Sequence, residues 1–319
     1  MATATGPVNA AELGVTLVHE HLRSRRESVA VQFPHLFDEG RDLERALLQV
    51  EAARAHGVRT LCDATVPGIG RDARFARTVA ERTGVHIVVG TGFYTMNEVP
   101  PYFAIRSIDH MADAFVHDAQ VGIQGTDIRA GFLKCVTGEP GLTPGVEHTL
   151  RAVARAHRRS GLPIMTHSNA REGTGLQQQD LFETEGVDLR RVLIGHSGDT
   201  DDLEYLVALL ERGSFIGFDR YGLERWGQHE FLSTERRNRM VLALCGMGFA
   251  AQLMVSHDYP CYLDSIDPTT QAREHPNWSM TYLFDAVIPA LRAAGVTDVQ
   301  IRAMMIDNPR RWLETRTAY

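Results

Sequence analysis

The chain has 319 residues, of which 44% are hydrophobic and 23% charged, a composition typical of a globular protein with a large buried core. The net charge is −7, and basic runs such as residues 155–160 and 235–239 lie inside helical patterns, which argues against a nucleic-acid partner. No uncharged apolar stretch approaches the roughly 18 residues that span a bilayer, and the N-terminus does not resemble a secretory signal. The four cysteines form no CxxC pair, which favours free thiols in a reducing compartment. We therefore expect a soluble cytoplasmic protein without nucleic-acid or membrane partners.

Short apolar runs alternate along the chain with longer amphipathic segments. The runs predict strands at 15–20, 59–66, 86–94, 130–136, 163–168, 192–197, 214–220 and 252–258. The amphipathic segments predict helices at 42–56, 71–83, 107–120, 144–160, 173–185, 200–212, 233–247 and 278–294. Eight strand–helix pairs predict a (β/α)8 TIM barrel. No linker-like segment interrupts the pattern, so residues 1–319 are expected to form a single domain.

A doubly wound open sheet would show the same alternation of strand and helix. No glycine fingerprint follows the first predicted strand, however, and polar residues recur at nearly every strand end. The carboxyl ends of barrel strands gather around one mouth, where such residues would meet. The sequence therefore favours the barrel.

The first predicted strand ends on two histidines, His19 and His21, separated by one residue. Residues two apart on a strand point the same way, so the two imidazoles can share one cation. Taken alone, the pair is equally consistent with a structural or incidental arrangement.

Four further polar residues occur late in other predicted strands: Lys134, His167, His196 and Asp258. Taken alone, Lys134 is best interpreted as a core lysine in a salt bridge, because burial works against its charge. Together with the two histidines, these residues supply ligands for two divalent metal ions, provided that the lysine is made anionic. A neutral lysine amine can add carbon dioxide, and the resulting carbamate has two oxygens able to bridge two cations.

Six segments carry these polar residues: GVTLVHEHL, AGFLKCVTGEPGLTP, PIMTHSNA, VLIGHSGDTDDLEY, GFDRYGLE and VSHDYPCYLD. In this order they resemble the strand-end motifs of the phosphotriesterase family in the amidohydrolase superfamily. They are more similar to its phosphotriesterase-like lactonase branch than to other members. The resemblance extends over nearly the whole chain, from Val15 to the closing DNPRRWL.

The resemblance implies a binuclear metal site at the C-terminal mouth of the barrel. His19, His21 and Asp258 would hold the more buried ion, His167 and His196 would hold the more exposed ion, and N6-carboxylated Lys134 would bridge both. The ligands suit zinc first, with cobalt, iron or manganese as alternatives. A hydroxide bridging the two ions would attack the substrate, and Asp258 would accept its proton. Relatives are commonly homodimers, so a homodimer is expected.

Two residues at strand ends are candidate substrate contacts. Tyr94 follows the third strand, where its phenol would meet the lactone carbonyl or the attacking water, or would simply pack at the rim. Arg220 follows the seventh strand and would bind a substrate oxygen, or would simply pair with Asp219 or a loop carboxylate. The loop after the seventh strand is longer than the resemblance predicts and contains Trp226, while Ser265 replaces the bulky aromatic expected in the last loop.

The resemblance implies a lactonase that opens acyl homoserine lactones, a quorum-quenching activity, or simple γ- and δ-lactones, with promiscuous organophosphate hydrolysis. A dedicated phosphotriesterase or arylesterase is the alternative within the same class. A catalytically silent binding protein is the alternative from a different class, and a missing metal ligand would be its expected mark. All six expected ligands are present in the sequence.

Overall fold

The computed structural model describes residues 1–314 and 317–319. Parallel strands form its central sheet, and each pairs with the next along the chain. The strands are β1 Val15–His21, β2 Val58–Asp63, β3 His86–Gly92, β4 Phe132–Thr137, β5 Ile164–Ser168, β6 Val192–Gly195, β7 Phe215–Phe218 and β8 Leu253–Val255. A two-residue strand, Tyr259–Pro260, follows β8 and pairs in parallel with β1, so the sheet closes on itself. The predicted (β/α)8 TIM barrel is confirmed.

The longer helices follow the strands in the predicted order. They are α1 Glu39–Ala55, α2 Ala73–Thr83, α3 Ile108–Gln120, α4 Pro144–Ser160, α5 Thr174–Thr184, α6 Leu203–Glu211, α7 Thr234–Gly246 and α8 Ile288–Ala293. A π-helical segment, Leu283–Val287, leads into α8. Aspartate, serine or threonine side chains cap the N-termini of six of these helices by accepting a backbone N–H. These caps explain why the helices begin close to their predicted starts.

Shorter elements surround this framework. Short helices span Glu27–Gln32, Pro101–Ala104, Pro268–Glu274, Asp298–Arg302 and Asn308–Leu313. Two small antiparallel pairs join Ala2–Thr3 to Gly6–Pro7 and Arg225–Trp226 to His229–Glu230. Within the described part of the chain, no helix has the length and apolar character needed to cross a membrane.

An irregularity in β1 sets the direction of its histidines. Val18 packs inside the barrel and Leu17 packs in the outer layer with the helices, so strict alternation would turn His19 outward with Leu17. Leu17 pairs with Leu61 and Glu20 pairs with Asp63, however, so β1 has one more residue than β2 between these two pairs. A bulge of this kind re-aims the following side chains. His19 and His21 accordingly face the cavity at the barrel mouth.

The barrel interior is filled by side chains from its strands and closed by Trp312. The strand residues in this inner cluster are Val18, Cys62, Val88, Phe132, Met165, Leu193, Phe215 and Met254. The Trp312 indole is fully buried, lies 5.8 Å from the Phe132 ring and donates a hydrogen bond to the carbonyl of Ile164, 3.2 Å away. Phe132 and Ile164 begin their strands, so Trp312 packs at the end of the barrel opposite the mouth.

We expect Trp312→Ala to lower the free energy of unfolding by about 3 to 5 kcal/mol, because it leaves a cavity in a fully packed interior. Chemical denaturation followed by circular dichroism measures this loss. Val299→Ala is the matched control, since the Val299 side chain is 76% exposed. A loss no larger than that of the control would show that Trp312 does not stabilise the barrel.

Candidate metal centre

A cavity of about 860 Å³ opens at the carboxyl ends of the strands. Six of the predicted site residues line it: His19, His21, Tyr94, His167, Arg220 and Asp258. The other two, Lys134 and His196, are buried beside these residues, at 0% and 1% exposure. The Lys134 Nζ lies 3.0 Å from the His19 Nε2, and the His196 Nε2 lies 3.0 Å from the His167 Nδ1. The barrel therefore brings all eight predicted residues to one place.

Asp258 lies between the two histidines of β1. Its Oδ1 is 3.1 Å from the His21 Nε2 and 3.4 Å from the His19 Nε2, and its Oδ2 is 3.8 Å from the His196 Nε2. Burial alone would raise the pKa of Asp258, but the hydrogen bond from His21 and the charge of Arg220 help to hold the pKa of this carboxyl well below its usual range. The carboxylate is therefore ionised and accepts only.

Asp219 is a site residue whose role the sequence did not reveal. It follows β7, is fully buried, and accepts from the Nδ1 of His19 at 2.8 Å and from the Nδ1 of His196 at 3.0 Å. Gly195 and Gly217 leave the space for this carboxylate, since a Cβ atom on them would lie 3.2 and 2.8 Å from its Oδ2. From the sequence, the aspartate in FDRYGLE is predicted only as a possible partner of Arg220. Its spacing from the histidines in sequence carries no signal of this contact.

The ring nitrogens and carboxylates of this site could hold a metal ion. Asp219 can only accept when ionised, so His19 and His196 each donate from Nδ1, and in the neutral ring each Nε2 carries a lone pair. Burial and the charge of Lys134 lower the pKa of His19 to about 3, so its ring is neutral. The Nε2 of His19 and the Oδ1 of Asp258, both acceptors, therefore face each other at 3.4 Å. The Lys134 Nζ, 3.0 Å from the His19 Nε2, supplies a cation beside these acceptors when it is protonated, and a shared metal ion would take that role once the amine is neutral or carboxylated. A carboxylate behind the histidine is the usual partner of such a ligand.

The backbone at two of these residues is held in an uncommon conformation. His196 and Asp258 have φ values of 60° and 54°, in the left-handed region that non-glycine residues rarely adopt. The predicted sixth and eighth strands extended to residues 197 and 258, but β6 ends at Gly195 and β8 at Val255. For β6 the reason is that His196, directly after Gly195, has a positive φ and so leaves the extended conformation. Such backbone strain commonly occurs at functional sites.

Lys134 lies within β4, its side chain fully buried. Burial lowers the pKa of Lys134 to about 8, despite the opposing effects of Asp258 and Asp219. Near neutral pH a larger fraction of this amine is neutral than for an exposed lysine. The simple alternative, a lysine that forms an ordinary core salt bridge, is not what the structure shows, because its close polar contact is the imidazole of His19.

Arg220 links the site to the neighbouring loops. Its guanidinium donates to the Oδ2 of Asp258 at 3.0 Å and to the Oδ2 of Asp199 at 2.7 Å. The fully buried Arg237 donates to the other oxygen of Asp199 at 2.9 Å. Arg220 therefore pairs with carboxylates, as one of the two alternatives predicts, and its partners are Asp258 and Asp199. It also lines the cavity.

Tyr94 and the later loops form the wall of the cavity. The Tyr94 ring meets the His167 ring edge-on at 5.6 Å, and burial, with a smaller contribution from Asp258, raises the pKa of Tyr94 to about 12. Its hydroxyl is thus protonated near neutral pH and able to donate. Trp226, in the loop after β7, stacks on His275 at 5.7 Å and meets Trp278 at 5.8 Å. Trp226 and Ser265 both line the cavity.

The fold and this donor set define a (β/α)8-barrel protein with a histidine and carboxylate centre at its mouth, in which two histidine and aspartate groups could hold a metal ion. The Phosphotriesterase family model matches residues 1–313, and the chain belongs to this family of hydrolases. It is 43% identical over 307 residues to an aryldialkylphosphatase of Saccharolobus solfataricus, covering 96% of each chain. It is also 43% identical over 325 residues to a phosphotriesterase homology protein of Mycobacterium tuberculosis, covering 99% of this chain and 98% of the relative.

A solved structure, that of the phosphotriesterase from Mycobacterium tuberculosis, matches the fold with a TM-score of 0.96 at 43% sequence identity. The match covers 100% of this chain and 99% of the other. The family resemblance read from the strand-end motifs is confirmed.

We expect Asp219→Asn to weaken binding of divalent metal by about 10- to 100-fold, because the amide cannot accept from both histidines as the carboxylate does. Titration of the apo-protein with Zn²⁺ against a competing chelator measures the affinity. Asp180→Asn is the control, since Asp180 lies on α5 and its side chain is 72% exposed. Equal metal affinities in the two variants would show that Asp219 does not support metal binding.

Proposed function

We propose that the protein is a metal-dependent lactonase that opens acyl homoserine lactones or simple γ- and δ-lactones and hydrolyses organophosphates more weakly. The observation that carries this proposal is that the Nε2 atoms of His19 and His196 lie 3.4 and 3.8 Å from the carboxylate oxygens of Asp258. Family membership supports hydrolysis of a small molecule. The preference for lactones is part of the proposal and is not given by family membership. A catalytically silent relative would lack part of this donor set.

We propose that His19, His21 and Asp258 hold one divalent ion, that His167 and His196 hold the second, and that Lys134 bridges them. Zinc suits these ligands, and cobalt, iron and manganese are the alternatives. When bound, such a pair of ions supplies a nucleophile near neutral pH and polarises the substrate oxygen. Asp258 is placed to accept a proton at its carboxylate and to return it to the leaving alkoxide. Asp219 keeps the Nε2 atoms of His19 and His196 available by holding the protons on Nδ1.

Carboxylation of Lys134 is part of the proposal. Its fully buried amine lies among acceptors, and its lowered pKa favours the neutral form that adds carbon dioxide. The carbamate turns a cation that would repel a metal ion into an anionic ligand. The bond forms between Nζ and the carbon of carbon dioxide, and the amine releases one proton to solvent.

The resemblance of the segments around Tyr94 and Arg220 to the lactonase branch supports a lactone as the preferred substrate. The protonated Tyr94 hydroxyl can donate to a lactone oxygen, while Arg220 donates to Asp258 and also lines the cavity. The relative named aryldialkylphosphatase supports the second candidate, a dedicated phosphotriesterase or arylesterase. Both reactions develop negative charge on an oxygen beside the metal centre, which accounts for an overlap of activities.

The experiment that tests the proposal compares kcat/KM for a long-chain acyl homoserine lactone, a plain δ-lactone and paraoxon on metal-reconstituted protein. We expect the better lactone to exceed paraoxon by at least about 100-fold, or about 2.7 kcal/mol of transition-state stabilisation. Protein stripped of metal is the control and is expected to be inactive. Faster turnover of paraoxon would contradict the lactonase proposal and support the second candidate, a dedicated phosphotriesterase or arylesterase.

We expect Tyr94→Phe to lower kcat/KM for the lactone by about 3- to 10-fold, the effect of one lost hydrogen bond, and to change paraoxon turnover less. Tyr102→Phe is the matched control, because Tyr102 is 55% exposed and does not line the cavity. No loss with either substrate would assign Tyr94 to packing alone, and equal loss with both would show that its hydroxyl does not favour the lactone.

We expect Lys134→Ala to lose most bound metal and activity, because the bridging ligand is gone, and a short-chain carboxylic acid to restore part of both. Metal content after desalting and lactone turnover with added acetate or propionate measure the two effects. Metal content equal to that of the wild type would contradict the proposed carboxylation of Lys134.

We also propose that residues 1–319 act as one hydrolase domain, that the protein forms a homodimer, and that it works in the cytoplasm. The family model over residues 1–313 supports the first proposal. The resemblance supports the second, and four buried free cysteines support a reducing compartment.

A further inference from the structure

Glu20 lies between the two histidines of β1 and is 1% exposed, yet it does not line the cavity. A buried carboxylate is costly unless several donors satisfy it. The bulge in β1 turns His19 and His21 to the mouth, and the Glu20 side chain reaches instead to the segment that follows β8. The carboxylate therefore has a function other than direct ligation.

Four hydrogen bonds from this segment end on Glu20. Its Oε1 accepts from the Ser256 hydroxyl at 2.8 Å, from the His257 backbone N–H at 3.0 Å and from the His257 Nδ1 at 2.8 Å. Its Oε2 accepts from the Tyr259 backbone N–H at 2.9 Å. The Leu283 N–H donates to the His257 Nε2 at 3.1 Å, which makes Nδ1 the donor toward Glu20.

These contacts occur where the barrel closes and strand pairing is interrupted. β8 ends at Val255, and pairing with β1 resumes only at Tyr259–Pro260. Between them, Asp258 is in the left-handed conformation and donates its own N–H to the carbonyl of His19 at 2.9 Å. The residues before and after Asp258 both donate their backbone N–H groups to Glu20, so one carboxylate replaces the missing strand pairing.

We propose that Glu20 is a positioning residue for the metal centre. It holds the backbone on both sides of Asp258 against β1, so that the Asp258 carboxylate stays within reach of His19 and His21. Ser256 extends the same link, because its hydroxyl also accepts from the His19 backbone N–H at 3.1 Å. This inference rests on the proposed function, since it concerns how the ligands of that site are held.

Glu20→Gln tests the proposal at nearly constant shape, because the amide keeps one acceptor oxygen and loses the second acceptor and the charge. We expect one of the two Co²⁺ ions to bind about 10- to 100-fold more weakly, with the visible absorption of the bound cobalt as the readout. At saturating cobalt, kcat is expected to fall while KM changes by less than about threefold. Asp42→Asn is the matched control, since Asp42 is also a fully buried carboxylate, on α1, and does not line the cavity.

Cobalt affinities of Glu20→Gln that equal those of the control would overturn the inference while leaving the metal centre intact. A wild-type protein that binds fewer than two cobalt ions would overturn the proposed function itself, and the inference with it. If Glu20→Gln does not fold, Ser256→Ala gives the answer, because it removes one donor to Glu20 and one contact with His19. Unchanged cobalt binding in Ser256→Ala would then contradict the proposal.

Discussion

The candidate site depends on one buried carboxylate that accepts from two histidines. Asp219 fixes the tautomers of His19 and His196, and so decides that both rings turn a lone pair, rather than an N–H, toward the cavity. His19, His196 and Asp219 come from β1 and from the ends of β6 and β7, which only a closed barrel brings together. The topology and the chemistry are therefore linked through a single residue.

Two structural irregularities then aim the remaining side chains. The bulge in β1 reverses the alternation that would have buried His19 among the outer helices. The left-handed backbone at His196 ends β6 early, and at both His196 and Asp258 it turns the side chain out of the strand geometry. Both irregularities reduce regular strand pairing, and the surrounding hydrogen bonds compensate for it at the closure between β8 and β1.

Much of this architecture could be predicted from the sequence because it depends on periodicity and order. Apolar runs alternating with amphipathic segments identified all eight strands and their helices, and barrel topology then placed the strand-end residues at one mouth. The contacts that depend on three-dimensional proximity could not be predicted. Asp219 and Glu20 each meet partners some 200 residues away, and nothing in FDRYGLE or VHEH distinguishes them from ordinary polar residues at a strand end.

The exact ends of the strands also depend on tertiary contacts that the sequence pattern does not predict. The apolar run VLIG leads directly into His196, so the sequence pattern extends the predicted strand through His196. The positive φ of His196 is instead a tertiary effect, because the Asp219 carboxylate accepts from both the backbone N–H and the ring of His196. Arg220 lies at the mouth, and its partners Asp258 and Asp199 come from other loops, which the sequence does not reveal.

The most direct test of the account is a crystal structure of the zinc-reconstituted protein with anomalous diffraction recorded on both sides of the zinc edge. The account predicts two anomalous peaks, one among His19, His21 and Asp258 and one beside His167 and His196, with additional density continuous with the Lys134 Nζ between them. One peak or none, or an unmodified Lys134 beside two peaks, would contradict it.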